Sequence, residues 1–187
     1  MTKQLLELSI VSPKNLDLIF FRQNNERVED NMTNQENKLH FQQENNSEYV
    51  IGWHMDQVVA CVRFIDWSLG VTYLQKHVNV YSHEYDQPTI EVSRLLIAKD
   101  FRKWNFTVDF LREAARYVNL VKGFEAFLGY GGKLESRLYQ SVGAREIGHS
   151  FTVQRGEQLK KFYIFSGLMK TCYETQTKTK NYCESHK

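Results

Sequence analysis

Glu91, Ser93 and Arg94 lie inside an otherwise apolar run of the chain and are the residues best placed to do chemistry. Positions 90, 92 and 95–97 around them carry isoleucine, valine or leucine, a pattern typical of a strand buried on both faces of a sheet. Burying a carboxylate and a guanidinium is costly unless the groups are paired or face a cleft. The run therefore predicts either an internal ion pair or a reactive site.

Glu91 is the candidate general base. A carboxylate on a mostly apolar strand should have a raised pKa, because desolvation disfavours its charged form. A base whose pKa lies near neutrality can take a proton from an amine. The alternative is a buried ion pair of Glu91 with Arg94 or Arg63 that only shapes the sheet. The residues alone leave both interpretations open.

The composition limits the classes of protein that fit. The 187 residues, 42% of them hydrophobic and 13% aromatic, suit one globular domain with a sizeable core. A net charge of +2 is too small to indicate nucleic-acid binding. No apolar stretch is long enough to cross a bilayer, and three widely spaced cysteines favour cytoplasmic residence without a disulfide framework. The six histidines show no ligand spacing, so no metal site is expected.

The elements that must position these residues follow from periodicity and turn signals. Strands are predicted at 5–11, 49–54, 58–65, 90–97, 124–130, 147–154 and 161–166. Helices are predicted at 16–27, 107–121 and 133–141, the second capped by Asn105 or Thr107 and ended by Gly123. Residues 67–81 are ambiguous between helix and loop. Residues 26–47 are rich in Asn, Gln and Glu and predict a long mobile surface segment of unassigned role. Residues 170–187 predict a polar, flexible tail. This order indicates an α/β fold over residues 1–169, a single three-layer αβα domain with a mixed sheet.

This order and two short motifs resemble the GNAT (Gcn5-related N-acyltransferase) fold, and more specifically the acyl-homoserine-lactone (autoinducer) synthases and the related N-acyl amino acid synthases. Residues 90–95, Ile-Glu-Val-Ser-Arg-Leu, are similar to the Glu-Leu-Ser-Arg-Phe signature of those synthases. Residues 58–64, Val-Val-Ala-Cys-Val-Arg-Phe, are similar to their Val-Val-Gly-Ser-x-Arg-Leu strand. The resemblance covers residues 49–144 at the level of the fold.

The chain departs from these families at two places. Their N-terminal part carries an acidic cluster and a tryptophan that help to bind S-adenosylmethionine, whereas this chain offers five scattered acidic residues there: Glu26, Glu29, Asp30, Glu36 and Glu44. The glycine-rich pyrophosphate motif of acetyl-CoA enzymes is absent from residues 99–106. The autoinducer synthases, which prefer acyl-carrier-protein donors, also lack that motif.

The resemblance implies transfer of a fatty acyl group from acyl-carrier protein or acyl-CoA to the amine of an amino-acid-like acceptor. S-adenosylmethionine is the leading acceptor, which would give an acyl-homoserine lactone, a quorum-sensing signal, and no tightly bound cofactor is implied. In this interpretation Glu91 is the base. Arg63 and Arg94 would fix the acceptor's carboxylate or hold Glu91 in place, and Ser93 would hydrogen-bond the acyl or pantetheine chain unless it is an incidental strand serine.

A basic loop and a helix N-terminus follow the strand and can receive an anionic group. The candidate contacts for a phosphopantetheine arm or an acidic acyl-carrier protein are Arg102, Lys103, Arg112 and Arg116, within a wider basic set that includes Lys99 and Lys122. The alternative for each of them is a solvated helix face. Three aromatic residues, Phe101, Trp104 and Phe106, would either line an acyl-chain pocket or anchor the loop to the core.

Two rival functions stay open at this point. The first is an N-acyl amino acid synthase or an ordinary acetyl-CoA-dependent acetyltransferase that acts on another amine. The second is a non-catalytic protein of the same fold that binds an acyl ligand as a sensor.

Overall fold

The computed structural model describes residues 7–25, 44–70, 72–78, 87–155 and 158–174. Seven strands form one sheet: β1 (Glu7–Val11), β2 (Ser47–His54), β3 (Gln57–Asp66), β4 (Thr89–Ile97), β5 (Ala126–Gly131), β6 (Arg145–Arg155) and β7 (Gln158–Leu168). The flanking helices are α1 (Leu16–Asn25), α2 (Tyr73–His77), α3 (Trp104–Lys122), α4 (Lys133–Ser141) and α5 (Met169–Glu174), with 3₁₀ turns at Trp67–Leu69 and Lys99–Phe101. The predicted α/β class with a mixed sheet is therefore confirmed.

The strands are ordered β1-β2-β3-β4-β5-β7-β6. All neighbouring pairs are antiparallel except β4 and β5, which run parallel. A parallel pair needs a crossover connection, and α3 supplies it. The β2–β3 hairpin turns at Met55 and Asp56, whose φ angles of 48° and 61° are the left-handed values that a tight two-residue turn requires.

Alternate residues of the central strands face opposite layers, because side chains alternate across a sheet. Val92 and Phe127 pack in the main core together with residues of α3, α4 and α5. Leu128, one residue further along β5, packs instead against Tyr73 and Leu74 of α2. A third cluster on the same side as α2 joins α1 to β2 and β3 through Leu18 and other apolar residues. Glu91 lies opposite Leu128 and so belongs to the face covered by α1 and α2.

Several element boundaries differ from the sequence prediction. Helix α3 begins at Trp104 rather than at 107, and its N-cap is Lys103, which makes no side-chain capping hydrogen bond. The predicted stop at Gly123 is confirmed by its left-handed φ of 74°. The ambiguous stretch after β3 forms a 3₁₀ turn and the short helix α2. Residues 170–174, expected in the flexible tail, belong to α5, because Met169 and Cys172 are buried against the core.

Two sequence expectations concern residues beyond this description. Most of the predicted surface segment, residues 26–43, and residues 175–187 of the predicted tail lie outside the described residues. None of the described helices has the length and apolar character needed to cross a membrane.

Candidate active site

The parallel strands β4 and β5 separate part-way along their length. They are paired from Thr89 opposite Ala126 as far as Val92 opposite Gly129. Beyond that point β4 continues beside β3 up to Ile97, while the end of β5 pairs with β7. Alternate backbone N–H and C=O groups of residues 93–97 therefore face an opening between the two strands. Such groups can hydrogen-bond an extended ligand.

A β-bulge lies directly beyond this point. Arg63 is opposite Ser93, but the next paired residue of β3, Cys61, is opposite Leu96, so β4 carries an extra residue. Arg94 lies in this bulge and has a φ of 50°, a left-handed value that is rare for a residue with a side chain. In this conformation its Nε lies 3.9 Å from Oε1 of Glu44.

Glu91 sits one residue before the last β4–β5 pair, and its side chain has no exposed surface. Among the described residues, none forms a hydrogen bond to either carboxyl oxygen. Burial raises the pKa of Glu91 to about 7, and the nearby Thr72 hydroxyl, Arg63 guanidinium and Trp67 indole lower it only in part. A buried carboxyl whose pKa lies near neutrality is suited to exchange a proton at physiological pH.

Arg63 does not form the ion pair with Glu91 that the sequence left open. Its Nε donates to the Ser93 hydroxyl at 3.0 Å, and its Nη1 donates to Oε1 of Glu44 at 3.2 Å. Arg94 also forms an ion pair with Glu44. Within the described part of the chain, the arginines of this site thus converge on a different carboxylate from the predicted one.

Glu44 is the centre of this polar cluster. Besides Arg63 and Arg94, it accepts from Arg22 Nη1 at 3.2 Å and from the Tyr49 hydroxyl at 3.0 and 3.1 Å. Burial alone would raise the pKa of Glu44, but the three guanidinium groups and the tyrosine hydroxyl together hold it below its usual value. The carboxylate is therefore ionised at neutral pH, and it ties α1, β2, β3 and β4 together.

Two members of this cluster, Glu44 and Arg22, were not predicted from the sequence as site residues. Glu44 was grouped with the scattered acidic residues of the polar segment, and Arg22 was not singled out. One signal could have identified Glu44: it lies three residues before a strong strand that must pair with the strand of Arg63. Nothing in the sequence indicates Arg22 beyond its place near the end of a short helix.

The aromatic residues after β4 lie close to one another. The ring of Phe101 is 5.1 Å from that of Phe106 and 5.3 Å from that of His54. Phe101 and Phe106 are partly buried against the main core, which is the anchoring role that the sequence left open. Trp104 is the first residue of α3, and its side chain is outside the described atoms.

The predicted basic contacts divide into exposed and buried residues. Arg102 and Lys103 are exposed beside the α3 N-terminus, with Arg102 Nε donating to the Ile97 carbonyl at 2.9 Å. Arg116 is exposed and paired with Glu113 at 2.8 Å. Arg112 is only 9% exposed, so it offers little surface to a carrier protein.

Two helix N-termini follow the separating strands, and neither has a side-chain capping hydrogen bond. At α4, the Glu135 side chain folds back over its own first turn, so that a Cβ placed on Gly131 would lie 2.6 Å from the Glu135 Cβ. The α3 N-terminus has no side-chain cap and is preceded by Lys99, Arg102 and Lys103. Three cations precede the first turn of α3, whereas the Glu135 carboxylate lies beside the first turn of α4, so an anion is favoured at α3.

One apolar cavity of about 20 Å³ lies on the opposite face of the sheet, between the strands and α3, α4 and α5. It is lined by Phe64, Val92, Leu111, Ala115, Phe127, Tyr139, Val142, Met169 and Cys172. Glu91 does not line it. In the described ranges no three histidine, cysteine or carboxylate residues are grouped so as to hold a metal ion.

The sequence matches no protein-family model and no curated protein. The fold, however, matches many solved structures. A spermidine N-acetyltransferase chimera of Vibrio cholerae SpeG and hSSAT superposes with a TM-score of 0.62 at 13% identity, covering 92% of this chain and all of that one. A GNAT-family acetyltransferase from Elizabethkingia anophelis with acetyl-CoA bound gives 0.56 at 11% identity, covering 89% of this chain and 99% of that one. This chain has the GNAT acetyltransferase fold.

A further neighbour is an IAA acetyltransferase from Bacillus cereus, with a TM-score of 0.56, 8% identity, and coverage of 88% of this chain and 99% of that one. These identities are too low to carry substrates from one GNAT-fold protein to another. The GNAT fold expected from the sequence is confirmed, whereas the specific resemblance to autoinducer synthases stays a prediction.

Proposed function

We propose that this GNAT-fold protein is an N-acyltransferase that moves an acyl group from a thioester donor to an amine, with Glu91 as the general base. The observation that carries the proposal is the position of Glu91. It is a fully buried carboxyl, hydrogen-bonded to no described residue, next to the point where β4 and β5 separate. In this proposal the opening between the strands receives the donor.

The chemistry needs few groups. The acceptor nitrogen attacks the thioester carbonyl, a C–N bond forms, and the C–S bond breaks. Glu91 takes the proton that the nitrogen loses, and the departing thiolate takes a proton from solvent. Backbone N–H groups of residues 93–97 that face the opening would stabilise the negative charge developing on the carbonyl oxygen. The pKa of Glu91, about 7, suits a base that must be ionised near neutral pH.

The donor would be held by the α3 N-terminus. Its uncapped backbone N–H groups and the exposed Arg102 and Lys103 would bind the phosphate of a phosphopantetheine arm, whether that arm is part of CoA or of an acyl-carrier protein. Phe101 and Phe106 form an apolar surface beside this turn. Two of the solved neighbours hold acetyl-CoA or CoA, which supports acyl-CoA as the donor in this proposal.

The acceptor is the less determined substrate. S-adenosylmethionine, with release of an acyl-homoserine lactone, is our leading candidate, because of the resemblance of residues 58–64 and 90–95 to the autoinducer synthases. An acetyl-CoA-dependent acetyltransferase acting on another amine is the second candidate.

Two measurements test the proposal. Mass spectrometry of products from the purified protein, given acetyl-CoA or a long-chain acyl-CoA with S-adenosylmethionine, an amino acid or spermidine, should show an acylated amine. Glu91→Gln should lower kcat by about 10² to 10⁴-fold while leaving donor affinity nearly unchanged. Glu125→Gln, on an exposed carboxylate, is the matched control.

The outcomes separate the candidate functions. An acylated lactone selects the autoinducer synthase, and an acetylated amine selects the acetyltransferase. Donor binding without product from any acceptor, unchanged in Glu91→Gln, selects the non-catalytic sensor. Turnover that is equal in wild type and Glu91→Gln removes Glu91 from the mechanism.

A further inference from the structure

A buried hydrogen-bond donor without an acceptor lies beside Glu91. The indole N–H of Trp67 is near enough to Glu91 to lower the pKa of its carboxyl, but among the described residues neither this Nε1 nor either carboxyl oxygen has a partner with full hydrogen-bond geometry. An unpaired buried donor and two unpaired buried acceptors are each costly, since every one has given up its hydrogen bonds to water. Native structures seldom leave such groups together unless a functional state pairs them.

The geometry of β3 explains why the two side chains meet. Ile65 is directly opposite Glu91, and side chains two residues apart on a strand share a face. Trp67 therefore follows Ile65 onto the face that carries Glu91. The 3₁₀ turn that Trp67 begins is fixed by Asp66, whose side chain accepts from the Ser68 N–H at 2.8 Å, and this turn packs against β4.

Other groups surround the carboxyl from each neighbouring element. Arg63 on β3 and the phenol of Tyr130 on β5 are the charged or titratable groups that interact with Glu91, and Tyr73 on α2 and Arg94 on β4 interact in turn with Tyr130. From the start of α2, the Thr72 hydroxyl and the Leu74 backbone also face it. The Thr72 hydroxyl oxygen accepts from the Gln75 N–H at 3.2 Å, which leaves its own O–H to donate towards the carboxyl.

Trp67 differs from the hydroxyl groups around Glu91 because an indole N–H can donate but not accept. A hydrogen bond from such a donor to a carboxylate is about twice as strong as one to a neutral acceptor. The contact is thus worth most when Glu91 is ionised.

We propose that Trp67 is a positioning residue for Glu91, and that its indole N–H donates to the carboxylate once Glu91 has lost its proton. The hydrogen bond orients the ionised oxygen that takes the acceptor's proton. The catalytic part of this inference rests on the proposed function, whereas the hydrogen bond itself does not.

The first test measures the hydrogen bond directly. In ¹H–¹⁵N spectra, the Trp67 indole resonance should move downfield between about pH 5 and pH 9, with the midpoint of Glu91 near 7. The movement should vanish in Glu91→Gln. Trp53, whose Nε1 already donates to the Ser9 hydroxyl at 3.0 Å, is the internal control and should stay still. A Trp67 resonance that ignores pH, or that titrates equally in Glu91→Gln, overturns the proposal.

The second test uses Trp67→Phe, which keeps an aromatic ring and deletes the N–H. The acid limb of its kcat/KM profile should move to higher pH by about 0.5 to 1 unit, because the ionised base has lost a donor. Trp53→Phe should leave the limb in place. A lowered kcat with an unmoved limb would make Trp67 merely structural. If the wild type transfers no acyl group, the proposed function fails, while the spectroscopic result still decides whether Trp67 binds Glu91.

Discussion

Arg63 donates a hydrogen bond from Nη1 to Oε1 of Glu44 at 3.2 Å. Arg63 lies on β3 and is only 2% exposed, whereas Glu44 lies three residues before β2. A guanidinium buried to this extent is tolerated because a carboxylate and the Ser93 hydroxyl occupy its donors. Because Arg63 pairs with Glu44, burial is the main influence on the pKa of Glu91, the other carboxyl of this face, and Arg63 lowers that pKa only in part.

Glu44→Gln tests the importance of this pair for stability. The substitution keeps the shape of the side chain but leaves three guanidinium groups without their shared anion. We expect the free energy of unfolding, measured with urea near pH 7, to fall by about 2 to 3 kcal/mol. The pKa of Glu44 is lowered in the fold, so this contribution is present above its usual value of 4.5 and is lost as the pH falls through the lower folded value.

The matched control for that prediction is Glu48→Gln. Its carboxylate pairs with Lys122 at 2.8 Å, but the two side chains are 50% and 35% exposed. An exposed pair of this kind contributes about 1 kcal/mol or less. Equal losses in the two variants would contradict a special role for Glu44.

Glu91 predicts the opposite dependence of stability on pH. Its pKa is raised from 4.5 to about 7, so between these values the folded state keeps a proton that the unfolded state has lost. Stability should therefore fall as the pH rises through this window. Between about pH 5 and pH 8, the wild type should lose on the order of 3 kcal/mol relative to Glu91→Gln in urea unfolding. Parallel pH curves for the two proteins would show that Glu91 does not titrate in this range.

Backbone strain at Arg94 gives a third prediction. Arg94→Gly and Arg94→Ala both remove the guanidinium, but only glycine accepts a φ of 50° without cost. The glycine variant should be the more stable of the two by about 1 kcal/mol in urea unfolding. At Leu96, two residues further along β4 and without a positive φ, the same comparison should favour alanine. A preference for alanine at both positions would mean that the bulge relaxes in the variants.

Replacing Lys103 with serine should increase the stability of the protein and weaken donor binding. Lys103 is the N-cap of α3 and makes no capping hydrogen bond, so Lys103→Ser should raise the unfolding free energy by about 0.5 to 1 kcal/mol. The same change removes a cation and covers backbone N–H groups that the proposed donor needs. Affinity for CoA, measured by calorimetry, should fall several-fold. Lys170→Ser on α5 is the control, and an equal loss of affinity there would indicate an unspecific charge effect.

The sequence predicted the elements whose residues carry a strong local signal. Strand β4 is a run of β-branched and aliphatic residues, α3 has an apolar stripe that ends at Gly123, and the β2–β3 hairpin has a clear turn. The start of α3 carries no such signal, because a conventional capping residue occurs only at Asn105 or Thr107, inside the helix. Lys103 begins that helix without one.

The candidate site could be predicted only in part, because its contacts join residues far apart in the chain. Glu91, Arg63 and Arg94 could be singled out as charges in apolar strands. Their partners could not, since the choice between Glu91 and Glu44 depends on which face each side chain takes and on the bulge at Arg94. Trp67 could not be predicted for the same reason. The sheet face on which it lies depends on the β3–β4 register, which cannot be read from the sequence.

The separation of β4 from β5 beyond Val92 has an evolutionary consequence. If backbone N–H and C=O groups hydrogen-bond the ligand there, binding depends on the path of the main chain rather than on the identity of its side chains. Every amino acid except proline supplies the same peptide donor and acceptor, so substitutions can accumulate around such a site without abolishing it.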